Sequence, residues 1–363
     1  MAVYKIFPTQ DATIYSSIPS QNTGLDEILE VGCFNSQVAL SIAESNTADD
    51  IRRTLIKFSN SDISSVMSLI SGSYISNLRL FLANAENLSM PYTLLVDQLS
   101  FDWSMGTGKK QDYPVVTNGV CWTNSGSYSS SYDTGWATSY YLTIGGGGFT
   151  TTSQISQSFQ YKDNKDLNVN VTPIVQNWVS DSTTNHGFIV KLPSGVEDNP
   201  NSLIGLSFFS LDTHTIYPPT LEFKWDDSNY STGSLVVANN SNIVVKLSNN
   251  VGSFKNDTKK YIFNVSVRDK FPTRSFVTSS VYTVNEALPQ TSYWALQDVK
   301  TEEMVIDFDT QYTKISCSSS GSYFPIYMSG LEPERYYKIL IRVDLPSGES
   351  IDIDSNNQFK ITR

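Results

Sequence analysis

With 363 residues, a net charge of −11 and only 17% charged side chains, the chain is long enough for two domains and too acidic overall to favour a nucleic-acid backbone as partner. Twenty tyrosines, 18 phenylalanines and six tryptophans, set among abundant Ser, Thr, Asn and Gly, favour β structure with many turns over long helices. No apolar run reaches the length of a signal peptide or a membrane span, so the expectation is synthesis in a cytoplasm, without a recognisable export signal and without a membrane partner.

The charge is uneven. Residues 1–227 hold 11 Lys+Arg against 22 Asp+Glu, a net of −11, whereas residues 228–363 hold 14 of each. An acidic first region aids solubility and suits a basic neighbour. Cys33, Cys121 and Cys317 are odd in number and far apart, which predicts free thiols rather than a disulfide framework.

In chain order, Val3–Phe7 and Ala12–Tyr15 are short apolar runs split by Pro8-Thr-Gln-Asp11, and Ser16–Gly24 is a loop by composition. Ile28–Val31 and the alternating Arg52–Phe58 read as strands, with Ser41–Asp50 a polar loop between them. Asp62–Ile70 predicts a short helix with Ser61 or Asp62 as N-cap and Gly72 as terminator. Tyr74–Ala83 and Tyr92–Leu99 are strand candidates. Residues 102–148 then turn to Trp, Tyr, Gly and Ser, the composition of a long functional loop region on a scaffold. Leu167–Val171 reads as a strand, and Thr172–Ser180 as a helix with Pro173 in its first turn and Ile174, Val175, Trp178 and Val179 buried. Strands Gly187–Leu192, Ile204–Ser210 and Thr220–Trp225 follow, the last two joined by a connector that Pro218 and Pro219 keep out of helix or central strand.

Leu221, Phe223 and Trp225 alternate with Glu222 and Lys224, and a polar turn follows, so this strand closes a first domain at 227. Residues 228–363 place strands at short intervals: Asn242–Leu247, Lys260–Arg268, Phe276–Val284, Tyr293–Val299, Met304–Phe308, Lys314–Ser318, Tyr323–Met328, Arg335–Val343, and Ser350–Ile353 with Phe359–Thr362. That spacing is the mark of a second β-sandwich, large enough to carry extra strands or to be two subdomains. The fold class expected is all-β.

The first region resembles the DNRLRE family of β-sandwich domains. The likeness lies in Asp11-Ala-Thr-Ile-Tyr-Ser-Ser with Asn22-Thr-Gly24, Leu29-Glu-Val-Gly32, Arg53–Phe58, Ile75–Leu80, Gly119-Val-Cys-Trp122, Asp166–Val171 before the Trp178 helix, Asn185-His-Gly-Phe188, and Phe208-Phe-Ser210 before Pro219-Thr-Leu221. It implies a jelly-roll-like sandwich with one or two short helices over residues 1–227. In this length it resembles virion proteins of tailed phages, including the His214-Thr-Ile-Tyr-Pro-Pro connector, Trp225-Asp-Asp, Tyr323-Phe and Leu331-Glu-Pro-Glu-Arg-Tyr-Tyr337. The Leu331–Tyr336 turn resembles the corner before a late strand in immunoglobulin and fibronectin III-like domains, with Tyr336 expected to bond its hydroxyl back to the backbone. No catalytic residue comes with the family.

His186 and His214 are the only histidines, and neither has the spacing of a zinc site or a nucleophile motif beside it. Asp49-Asp50, Asp226-Asp227 and Glu302-Glu303 read as solvated loop carboxylates, and Gly145–Gly148 as a flexible turn rather than a phosphate loop. No cofactor or metal is expected. Trp103, Trp122, Trp136, Tyr140 and Tyr141 are candidates for an exposed surface that stacks on a glycan, or for packing and protein contacts; His214 and Tyr217 join them as connector contacts. The functional expectation is a non-enzymatic structural protein of the virion, a homo-oligomer working in a ring, collar or tail beside portal, tail or capsid proteins. The alternatives are capsid decoration or a host-surface carbohydrate-binding module.

Overall fold

The computed structural model describes residues 2–34, 50–86, 91–126, 136, 145–199, 202–257, 260–271 and 285–363. The fold is all-β, with several antiparallel sheets. The chain divides into two compact units. The N-terminal unit holds residues 6–68 and 75–222; the C-terminal unit holds residues 1–5, 69–74 and 223–363.

The chain opens with β1 (Ala2–Ile6) and continues through β2 (Pro8–Tyr15), β3 (Ile28–Phe34), β4 (Asp50–Phe58), β5 (Tyr74–Leu80), β6 (Leu82–Glu86), β7 (Tyr92–Leu99), β8 (Phe149–Phe159), β9 (Leu167–Asn170), β10 (Phe188–Lys191), β11 (Leu203–Phe209) and β12 (Thr220–Trp225). Three helices interrupt them: α1 (Asn60–Met67), α2 (Thr172–Ser180) and α3 (Ser194–Glu197). The large sheet of the N-terminal unit has the order β6-β11-β3-β4-β10-β7-β8, with β2 also on β4, and β5 pairs with β9 in a smaller sheet. Leu55, Leu94, Val96, Phe188 and Phe208 of this sheet are fully buried. Trp178 of α2 packs its ring on Phe188 at 4.6 Å.

Local chemistry explains where elements begin. Ser59, not Ser61 or Asp62, caps α1 by accepting from the Asp62 amide at 3.4 Å. Thr172 is the first residue of α2, and its hydroxyl accepts from the Ser76 amide at 2.8 Å, which ties the helix start to β5. Val179, expected in the core, is exposed on the solvent side of α2. Glu222, expected on a wet face, is buried 3.7 Å from Arg79. The predicted strand over Tyr74–Ala83 breaks at Phe81 into β5 and β6.

The C-terminal unit carries β13 (Ile243–Leu247), β14 (Ser253–Lys255), β15 (Tyr261–Asp269), β16 (Ser292–Asp298), β17 (Met304–Ile306), β18 (Ser316–Ser318), β19 (Gly321–Ile326), β20 (Tyr336–Asp344) and β21 (Ser350–Thr362). They form two sheets, β13-β15-β19-β18 and β14-β21-β20-β16-β17. Phe263, Phe324, Trp294, Tyr337 and Phe359, drawn from both sheets, share one core, which makes this unit a sandwich. Pro325 is tolerated in β19 because β18 pairs only as far as Tyr323, leaving the proline without a neighbour on that side. The strand predicted at Phe276–Val284 lies outside the described residues.

The corner expected at Tyr336 belongs to its neighbour. Tyr337 is buried and its hydroxyl donates to the Glu332 carbonyl at 3.2 Å, whereas Tyr336 is 54% exposed. The reason is phase: the β20–β21 register puts Tyr337 opposite Phe359 in the core, so its neighbour must face out. Burial pushes the Tyr337 phenol well above its ordinary value, which keeps it a neutral donor.

Candidate interaction site

The long loop between β7 and β8 is held from beneath by one side chain. Asn22, fully buried, donates through Nδ2 to the carbonyls of Met105 at 2.7 Å and Val120 at 2.8 Å. Its Oδ1 accepts from the amides of Gly108 at 2.7 Å and Gly24 at 3.3 Å. A single amide thereby satisfies four backbone groups that a coil packed on a sheet would otherwise leave unpaired. The glycines around it are spatially required. A Cβ at Gly106, whose φ is +75°, would sit 2.4 Å from Asn22 Oδ1, and one at Gly24 would sit 2.1 Å from the Met105 carbonyl oxygen. Thr23 continues the seam by donating to the Thr13 carbonyl at 2.5 Å.

Tryptophans hold the same loop from its apolar side. Trp103, Trp122 and Trp136 are buried in one cluster with Ala12, Ile14, Leu55, Leu99, Val120 and Ile189. Trp103 Nε1 donates to the His186 carbonyl at 2.9 Å, and Trp136 Nε1 to the Cys121 carbonyl at 3.0 Å. These three residues therefore do not form the exposed stacking surface that the sequence allowed, and the indole N–H groups of Trp103 and Trp136 are spent on backbone. Tyr140 and Tyr141 lie outside the described residues.

Gly145–Gly148 is a close-packed strap rather than a flexible turn. The Gly146 amide donates to the Trp122 carbonyl at 2.8 Å, and its own carbonyl accepts from Arg53 Nη1 at 2.6 Å. Arg53 also pairs with buried Glu197 at 2.6 Å and stacks over Trp122 at 5.1 Å, so its charge is neutralised within the unit.

Beside the loop base is a cleft of about 270 Å³ lined by Tyr15, Asp26, Glu27, Glu30, Lys109 and Lys110, among others. Lys110 Nζ lies 4.4 Å over the Tyr15 ring and 2.8 Å from Glu30, which also meets Arg52 at 3.2 Å. The Lys110 amide shares its hydrogen between both oxygens of Asp26, at 3.2 Å each. Burial, then the adjacent Glu30 carboxylate, push the Tyr15 phenol up; burial also raises Asp26. Above this base the tip is lifted clear: Tyr113 is 97% exposed, with Pro114 and Val115 exposed beside it. The Asn22 amide holds the far side of the tip at Val116 O, 2.9 Å, and Gln21 Nε2 holds the near side at Lys109 O, 2.7 Å.

The connector is fixed differently. The Leu211 amide donates to buried Asp11 at 2.6 Å. Burial pushes the Asp11 carboxyl up to about 7, the Leu211 bond opposing and Asp212 adding to the shift. Tyr217 stacks on Phe209 at 5.5 Å and leans on Phe81 at 5.4 Å, while His214 is exposed. In the C-terminal unit Asp226 caps Ser228, and Asp227 lies 3.8 Å from Lys260. Among the described residues no group of three or more His, Cys, Asp and Glu is arranged to hold a metal, and no helix is long and apolar enough to cross a membrane.

Sequence reasoning singled out the tryptophans and missed Asn22 and Tyr113. Asn22 was visible only inside Asn22-Thr-Gly24, and Tyr113-Pro114-Val115 only as an apolar tripeptide between polar turns. No protein-family model matches the chain, and no curated protein matches it.

Proposed function

We propose that the chain is a non-enzymatic structural component of a tailed-phage virion, present as a repeated subunit in a ring, collar or tail assembly, with capsid decoration as the second placement. The observation that carries the reading is the loop between β7 and β8. Its base is fixed by Asn22 and three buried tryptophans, and its tip offers Tyr113, Pro114 and Val115 to solvent. An aromatic held in place before binding loses little conformational freedom on contact, and exposed tyrosines on rigid supports are typical centres of protein interfaces. The phage placement is supported by the sequence pieces that resemble virion proteins, from Asp11-Ala-Thr to Leu331-Glu-Pro-Glu-Arg-Tyr-Tyr337. A glycan-binding role is disfavoured, since Trp103, Trp122 and Trp136 give no open ring face. The test is a cryo-EM map of the intact particle: density that accepts both units at a ring, collar, tail or head-surface position supports the proposal, and a particle with no such density refutes it.

A further inference from the structure

We infer that the outer face of the sheet β13-β15-β19-β18 is a docking surface for the Tyr113 loop of a second copy of this chain. The contact is head-to-tail, N-terminal unit to C-terminal unit. The inference rests on the assembly role proposed above and specifies which surfaces meet.

The face is defined by register. Along β15, Phe263, Val265 and Val267 enter the core, so Ile262, Asn264, Ser266 and Arg268 face out. Pairing sets Lys246 opposite Ser266, Val244 opposite Arg268, and Tyr323 opposite Asn264. None of the outward positions on the four strands is a carboxylate. Ile262, near the start of β15 and opposite Pro325 of β19, is 45% exposed. Arg268 donates to the backbone carbonyl of Asp269 at 2.9 Å, and among the described residues neither it nor Lys246 is ion-paired.

The opposite sheet of the same unit shows what a self-sufficient face looks like. There Lys338 meets Asp354 at 2.9 Å, Arg342 meets Asp352 at 2.7 Å, and Lys360 meets Glu334 at 2.5 Å. Three of the four outward cations on this sheet have a carboxylate on the same sheet or at its margin, Lys255 at the end of β14 being the fourth. The β13-β15-β19-β18 face lacks that neutralisation and adds apolar area, the composition of a surface with a carboxylate-bearing apolar partner.

The chain itself supplies such a partner. Residues 1–227 carry the whole net charge of −11; Asp112 directly precedes the Tyr113 tip, and the cleft at the loop base holds Asp26 and Glu27 together with Lys109 and Lys110. Tyr113 with Val115 matches Ile262 and Val244 in kind, and the carboxylates match Lys246 and Arg268 in sign. A contact between two different surfaces of one chain repeats from copy to copy, and closes into a ring or extends as a filament according to its rotation.

The test is sedimentation velocity on the purified full chain over a concentration series, at about 50 mM and about 500 mM NaCl, since screening weakens exposed charge pairs. The expected result is concentration-dependent association at low salt that weakens roughly tenfold or more at high salt. Tyr113→Ser, and separately Lys246→Glu with Arg268→Glu, each weaken it by about tenfold or more, while Lys338→Gln on the other sheet leaves it unchanged. All these positions are at the surface, and circular dichroism checks that each variant is folded. Carbodiimide treatment should also join Lys246 of one copy to a carboxylate from Asp26, Glu27 or Asp112 of another. A chain that stays monomeric at every concentration, or whose association ignores both sets of substitutions, overturns the inference, including the case in which a different protein covers this face. A chain abundant in the particle but monomeric in solution would refute this contact and leave the proposed function standing.

Discussion

Asn22→Ala is the substitution that reaches deepest into the N-terminal unit. It removes two donated bonds, to Met105 and Val120, and two accepted bonds, from Gly108 and Gly24. An unsatisfied buried polar group costs about 1–3 kcal/mol, and part of that is recovered where the loop can shift or admit water. Four groups in a site this enclosed give an expected loss of roughly 3–5 kcal/mol in the N-terminal unit, at the upper end of what single substitutions do. Asn22→Asp separates the two halves of the effect: the carboxylate keeps both accepted bonds but faces two carbonyl oxygens with no hydrogen to offer. It should cost about as much as the alanine, roughly 3 kcal/mol or more. Native-state hydrogen exchange is the assay, because the Gly108 and Gly24 amides report the site directly. Their protection should fall by at least about a hundredfold in Asn22→Ala, as should that of the Val120 amide, which donates to the Ser104 carbonyl within the same loop. If these amides keep their protection and urea unfolding moves by less than about 1 kcal/mol, the loop is held by the tryptophans alone and the reasoning is wrong.

Other positions give sharper, smaller tests. Asp11→Asn should flatten part of the pH dependence of stability. With the folded carboxyl near 7 and its ordinary value at 3.8, the folded state keeps a proton that the unfolded chain has released, so the wild type loses stability as pH rises between those values. The variant keeps the oxygen that accepts from Leu211, and its stability relative to wild type should rise across that window by up to roughly 4 kcal/mol; a difference that stays constant with pH in urea melts would contradict it. Tyr337→Phe should cost about 1 kcal/mol through the lost bond to the Glu332 carbonyl, and Tyr336→Phe close to nothing, by urea unfolding of the C-terminal unit. Gly146→Ala places a Cβ 2.6 Å from Arg53 Nη1 at a φ of +86°, for an expected loss of about 2 kcal/mol or more, whereas Gly195→Ala meets no atom within 4 Å and should be neutral or stabilising by thermal melting.

The elements legible in the sequence were those whose side chains alternate. Thr220–Trp225 was predicted at the bounds that β12 has, and Tyr92–Leu99 at those of β7. β8 was invisible because Thr151-Thr-Ser-Gln154 gives no apolar alternation, and its half-exposed edge position asks for none. Ser350–Ile353 and Phe359–Thr362 looked like two strands because Asp354-Ser-Asn-Asn-Gln358 is turn-like, yet β21 runs through it with one irregularity against β20. The Tyr336 assignment failed by a single residue, since a turn motif names the corner but only the register decides which of two adjacent tyrosines faces the core. The tryptophans show the opposite limit. Their clustering in sequence marked a loop that matters, but whether an indole faces solvent or core depends on what lies beneath it. What lay beneath was set by Asn22, about 80–100 residues away in the chain from the carbonyls it binds.

If the chain is a repeated structural part of a tailed-phage particle, as proposed, quantitative mass spectrometry of purified particles should find peptides from both units, in equal amount and at several copies per particle, that stay with the particle through a high-salt wash. Particles that lack the chain, or that shed it completely in that wash, would contradict the proposal.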